Sequence, residues 1–195
     1  NEPDLEREIK SIGNQSLKPW EIKFREKPKK AANQKENVLH LATKLMGVGG
    51  HTKVLRTWID QDKRTNSFVL ITNQDTPLNS IVKEELTKNT KKLHSLNVEN
   101  SKIKKAENIL QFIFENQIDL VVLHTHPQDI LPVLSFSIKN IPPITFFNHA
   151  DHVFNYGASV SDLFLDFQEI ARDYSLKYRN VQASEILPLI VPKNK

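Results

Sequence analysis

Asp119-Leu120-Val121-Val122-Leu123-His124-Thr125-His126-Pro127 is the stretch that decides the fold. Its apolar run is too short for a helix and lacks the alternation of a half-exposed strand, so it reads as a strand buried on both faces. Such strands belong to parallel sheets, whose crossover helices cover both sides. The neighbouring sequence supplies those helices. Upstream, Ile103, Ala106, Ile109, Leu110, Ile113 and Phe114 recur at amphipathic-helix spacing. Downstream, residues 130–139 predict another helix, and Ile144-Thr145-Phe146-Phe147 a further apolar strand.

The same alternation continues in both directions. Val38, Leu39, Leu41 and Ala42 form a first strand, residues 68–72 a second, and residues 93–98 a weaker third. Between them, Val54, Leu55, Trp58 and Ile59, and then Ile81, Val82, Glu85 and Leu86, sit at helical spacing. Val160, Leu163, Phe164, Phe167, Ile170, Ala171 and Tyr174 predict a last long helix, with Ser159 as its cap and Asp162 in its first turn. The tail from Ile186 to Pro192 reads as a final strand entering a linker. Strand and helix in turn predict an α/β, Rossmann-like domain over residues 37–187, with a parallel sheet of five to seven strands and helices on both faces. Residues 1–36 read as a polar N-terminal extension, with a short helix at Leu5, Ile9 and Ile12 and an extended arm where Trp20, Ile22 and Phe24 alternate. Residues 188–195 read as the start of an interdomain linker.

Composition narrows the function. A chain of 195 residues, 38% hydrophobic and 26% charged, suits one globular domain with an appendage and excludes a two-domain enzyme of ordinary size. Without cysteine there is no disulfide, thiolate metal site or cysteine nucleophile. The formal net charge is +4, and residues 83–105 alone, with seven lysines against three glutamates, account for it. A lysine-rich helix surface is usually a solvated face. It leaves peripheral contact with an anionic membrane open, while nucleic acid is not an expected partner. No apolar run approaches the roughly 20 residues that span a bilayer, so a cytoplasmic protein is expected.

In a parallel sheet, ligands bind beyond the C-terminal ends of the strands, where the strand order reverses. Three loops of this sequence fall there. After the first strand comes Gly47-Val48-Gly49-Gly50-His51-Thr52, opening into a helix whose unpaired N–H groups suit an anion. Its spacing is neither that of the dinucleotide fingerprint nor that of the P-loop. After the fourth strand comes His124-Thr125-His126, and after the fifth Asn148-His149-Ala150-Asp151-His152. Five of the seven histidines thus sit at predicted strand ends, whereas His40 sits within the first strand and His94 within the third, as core positions. Two chemistries can use such a set. His124, His126, His149, Asp151 and His152 could hold zinc or manganese and activate water, as in a metal-dependent hydrolase. Alternatively, neutral imidazoles hydrogen-bond a polyol while the Gly-Gly loop faces a phosphate, which is the favoured reading.

Gly49-Gly50-His51-Thr52, the Asn148–His152 loop, the Tyr156-Gly157 turn and Ser159-Val160-Ser161-Asp162 together resemble the N-terminal domain of GT-B glycosyltransferases, nearest the retaining family 4 type. The resemblance spans residues 37–192 and implies an acceptor-side half-enzyme that is inactive without a C-terminal donor domain. It implies that His149 contacts the transferred sugar as the catalytic residue. Gly49 and Gly50 would lie against the donor diphosphate or the acceptor and His126 and Asp151 would line the acceptor side, with His51, Asn148 and His152 completing the substrate- and donor-binding set. The partners implied are a nucleotide-sugar donor, a saccharide, lipid or protein acceptor, and the donor domain itself. No cofactor or metal is expected, the nucleotide-sugar being a substrate. The family's phosphate-binding Arg and Lys and its E-x7-E pair belong to the C-terminal domain.

Other motifs carry less. Asp60-Gln61-Asp62 is a DxD, but it follows a helix rather than a strand. Ser159 and Ser161 lack a G-x-S-x-G elbow and read as capping residues. Phe146 and Phe147 read as strand core, and a noncatalytic Rossmann-like binding module remains a third reading.

Overall fold

The computed structural model describes residues 2–26, 34–96, 101–179 and 181–188. Seven strands form one all-parallel sheet: β1 (Asn37–Ala42), β2 (Asn66–Ile71), β3 (Lys92–Ser95), β4 (Leu120–His124), β5 (Ile144–Phe147), β6 (Leu163–Asp166) and β7 (Ser184–Ile186). Their spatial order is β3-β2-β1-β4-β5-β6-β7. This is the Rossmann-like α/β sheet the pattern predicts, and the order reverses between β1 and β4. Helices α2 (Gly50–Gln61) and α3 (Ser80–Asn89) lead to β2 and β3, and α4 (Lys102–Glu115) crosses back to β4.

The period-two geometry of the strands divides the core in two. Leu39, Leu41, Val121, Leu123, Phe146 and Phe164 pack on one side with Ile109, Leu110 and Ile113 of α4. On the other side Ala42, Val69 and Ile71 meet Leu55 and Ile59 of α2 and Val82 and Leu86 of α3. His40 and His124 take even-numbered positions on β1 and β4, where His40 pairs with Val122 and Ala42 with His124. Both histidines therefore point toward the α2 side.

Three elements differ from the sequence reading. Residues 2–25 form one continuous helix, α1 (Glu2–Arg25), rather than a short helix and an extended arm. Trp20 and Phe24 lie one turn apart and pack with Phe114 of α4, while Ile22 faces outward. Their alternation with Ile22 imitated a strand. The long helix expected over residues 160–174 is instead a 3-10 turn (Ala158–Val160), strand β6 and then α6 (Glu169–Tyr178). Leu163-Phe164-Leu165 satisfies both periods, and pairing with β5 decides for the strand. Ser159 is accordingly no helix cap, and Asp162 instead accepts the Ile144 N–H at 2.7 Å. The helix expected at residues 130–139 shrinks to α5 (Leu131–Ser135), and the third strand ends at Ser95, with residues 97–100 outside the described residues. The tail strand is β7, and residues 189–195 also lie outside the described residues.

Because the β5–β6 connection supplies only a 3-10 turn, α1 covers that part of the sheet. Leu17 and Phe24 join the core beneath Phe136, Ile138 and Phe146. Glu6, buried among these elements, accepts the backbone N–H of Gly157 at 2.6 Å and of Ser159 at 3.0 Å, and Lys10 donates to Ser159 O at 2.8 Å. Gly13 permits the close approach. A Cβ there would stand 2.3 Å from Leu134 O.

Candidate functional site

The crevice between β1 and β4 is organised by Asp129, a residue with no motif around it. Its Oδ2 accepts from Thr43 Oγ at 2.6 Å and from Thr72 Oγ at 2.9 Å, and its Oδ1 accepts the Leu131 N–H at 3.0 Å. Thr43 Oγ in turn accepts the His126 N–H at 2.9 Å. One carboxylate thereby ties together the loops that follow β1, β2 and β4 and holds His126 at the rim. Lys105, from the lysine-rich stretch, is buried rather than solvated and donates to Thr72 O at 2.8 Å.

Three of the predicted histidines converge at this edge. His51, in the first turn of α2, stacks on His149, which follows β5, with ring centroids 3.9 Å apart and planes 19° from parallel. His126 meets His51 edge-on at 5.6 Å. A tight turn in which His149 N–H donates to Phe147 O at 3.0 Å returns the His149 ring toward the crevice. Gly49 opens α2 at φ +149°, a value that L side chains rarely adopt, and a Cβ at Gly50 would meet nothing within 4 Å. The diglycine bend therefore borders open space beside the histidines. A cavity of about 960 Å³ runs from Gly47–Gly50 along Thr52, Lys53 and Arg56 toward Glu85 on α3, away from the rings. Arg56 and Glu85 pair across it.

Beneath the rim the histidines continue inward, which the sequence reading did not foresee. His124 is the last residue of β4, not a loop residue, and its Nδ1 lies 3.2 Å from Nε2 of His149. Its Nε2 lies 3.1 Å from Nδ1 of His40, which the sequence places inside the first strand, among the core. Trp58 and Phe147 wall this column, Trp58 edge-on to His40 at 5.6 Å and Phe147 stacked on His124 at 5.6 Å. The legible signal was parity, since His40 and His124 occupy inward positions of strands that become neighbours.

Burial sets the charge of this column. It pushes His40 down to about 4, with Asp62 opposing, and pushes His149 down to about 3 with help from His51 and His126. His124 falls well below the usual imidazole value, first through burial and then through His40, His149 and His51. Burial and then His126 lower His51. The four rings are neutral near pH 7, so they act as hydrogen-bond donors and acceptors rather than cations.

The remaining predicted residues lie apart. Asn148 is fully buried, donating to Asp166 at 2.6 Å and accepting from Arg179 at 3.1 Å, so its side chain is engaged within the protein. Asp166 also accepts from Ser175 and Ser184. Arg179, which no motif announced, reaches Asp151 O and Val153 O, both at 2.7 Å, and pins the loop after β5. The Asp151 side chain lies beside His152, which is exposed, and Gln168. Asp62 of the DxD caps its own turn by accepting from Arg64 and Thr65.

Metal ligation draws no support from this arrangement. Both ring nitrogens of His124 face other histidines, and among the described residues no group of three His, Asp or Glu side chains is placed to hold a metal ion. No helix among the described residues is long and apolar enough to cross a membrane.

No family model and no curated protein matches the chain. Among solved structures it is similar to a mutant O-GlcNAc transferase from Thermobaculum terrenum, with a TM-score of 0.50 and 12% identity over 80% of this chain and 28% of that one. The chain therefore spans less than a third of that protein's length. At this identity the likeness concerns the fold: a Rossmann-like α/β domain of the kind found in that glycosyltransferase, without singling out the family 4 type.

Proposed function

We propose that this chain is the acceptor-side half of a nucleotide-sugar-dependent glycosyltransferase of GT-B type. The observation that carries the reading is the meeting of His51, His126 and His149 beside the Gly49 bend at the edge where the strand order reverses. The neutral rings of His51 and His149 are suited to sugar hydroxyls, and the first N–H groups of α2 to a phosphate. Sugar transfer develops positive charge on the sugar and negative charge on the departing phosphate, and fixed dipoles stabilise both without rearranging. His149 would contact the transferred sugar, with His51 and His126 shaping its surroundings and Gly49 and Gly50 leaving room for the diphosphate. The donor domain, the nucleotide-sugar and a saccharide, lipid or protein acceptor complete the proposal, with no cofactor. Closure of the two domains would exclude water.

The test is a titration of the ¹⁵N-labelled chain with a panel of nucleoside-diphosphate hexoses and oligosaccharides, read by amide shifts. Shifts at Gly49, Gly50, His51, His126 and His149 that vanish in His149→Ala are expected. A flat response to every sugar, or stoichiometric zinc uptake at these histidines, would overturn it.

A further inference from the structure

His40 is completely buried inside β1, where a valine or leucine would pack without leaving a polar atom unpaired. Its ring instead begins a series. Nδ1 of His40 faces Nε2 of His124 at 3.1 Å, and Nδ1 of His124 faces Nε2 of His149 at 3.2 Å. A neutral imidazole carries one N–H and one lone pair, so each contact needs a donor on one ring and an acceptor on the next. Choosing the tautomer of one ring fixes all three.

Two senses exist. In the first, His40 Nδ1–H donates to His124, His124 Nδ1–H donates to His149, and His149 keeps an N–H on Nδ1. In the second, every proton sits on Nε2, His149 shows a bare Nδ1, and His40 is left with an Nε2–H at the sealed end. That end decides the matter, because Nε2 of His40 is buried without a hydrogen-bond partner. A buried N–H with no acceptor is rarer than an unused acceptor and forfeits a donor wherever it occurs. Trp58 stands 76° to the His40 ring, and an N–H against an aromatic face is too weak to replace a true acceptor.

We infer that His124 and His40 are positioning residues that hold His149 in its Nδ1–H tautomer, so that the ring offers the rim a hydrogen-bond donor and not a base. Among the described residues, Nδ1 of His149 carries no hydrogen bond and is not one of the buried partnerless atoms, so it is the nitrogen left for a ligand. Stacking on His51 fixes the plane in which that N–H points. The inference deepens the preceding proposal and rests on it for the identity of the acceptor, a sugar hydroxyl or ester oxygen. The tautomer itself needs no sugar.

Long-range ¹H–¹⁵N correlation spectra of the ligand-free, labelled chain at pH 7.5 test it, since they distinguish protonated from bare ring nitrogens. His40, His124 and His149 should each show protonated Nδ1 and bare Nε2. An Nε2–H form of His149, or averaging between the two forms, would overturn the inference. In His124→Leu, His149 should revert to a mixture in which the Nε2–H form predominates, as for imidazole side chains in water; an unchanged Nδ1–H form would count against His124. If that variant does not fold, the wild-type spectrum still decides. A negative sugar titration of the same sample would sink the glycosyltransferase reading and leave the tautomer result standing.

Discussion

The rings of His51 and His149 lie face to face, 3.9 Å apart at their centroids, although one opens α2 and the other follows β5. Their contact couples the glycine bend to the histidine loop. A ring pair of this kind is worth about 0.5–1.5 kcal/mol beyond its burial. We expect His51→Ala to weaken binding of a responsive nucleotide-sugar about twofold to tenfold while leaving the fold intact. Isothermal titration alongside circular dichroism checks this, and unchanged affinity would remove His51 from the site.

Asp129 carries a different burden, because two threonine hydroxyls and one backbone N–H depend on it. Asp129→Ala strands them all. The expected loss is about 1–3 kcal/mol, the cost of leaving buried partners unpaired. Urea unfolding should show a lower midpoint with an unchanged slope. Asp129→Asn, which retains one acceptor oxygen, should fall between the variant and the wild type.

At Gly13 the sign of the effect is informative. On an exposed helix surface, Gly→Ala stabilises by about 1 kcal/mol. Here the added methyl would meet Leu134 O, a backbone atom that cannot swing aside. Gly13→Ala should therefore destabilise by about 1–3 kcal/mol. A thermal midpoint above that of the wild type would show that α1 does not pack as described.

The neutral histidine column predicts acid sensitivity. Burial holds His40 at about 4 and His149 at about 3, below the ordinary imidazole value of 6.5, and lowers His124 in the same direction. Below that value the unfolded chain binds protons that the folded chain refuses, so stability is fully present above about pH 6.5 and declines as the pH falls toward 4. Each such histidine adds a slope of about 1.4 kcal/mol per pH unit within the window. Urea midpoints at pH 7.5, 6, 5 and 4.5 measure it. His40→Leu, if folded, should flatten the dependence by about one proton.

The sheet was legible because its strands are short apolar runs with no competing period, as in Leu120–Leu123 and Ile144–Phe147. Residues 160–174 were misread because Leu163, Phe164 and Phe167 fit a helix as well as a strand, and only the partner strand resolves the ambiguity. His51, His126 and His149 could be picked out by their place after strands or at a helix start. His40 could not, since its role depends on register with β4, a non-local fact. Asp129 and Arg179 act on partners from several loops and leave no local spacing to detect. Helix α1 was hidden by its polar composition, although Leu17, Trp20 and Phe24 share one face.

That helix also has a consequence for biosynthesis. α1 emerges from the ribosome before any strand, yet its anchor points at Gly157 and Ser159 come about 150 positions later in translation. Leu17 and Phe24 have no seat until Phe114, and then Phe136, Ile138 and Phe146, have been made, and before that the nascent segment is exposed to proteases and chaperones. Closing the β5–β6 side of the sheet must be a late event, so a helix that precedes every strand of the sheet is among the last elements to dock.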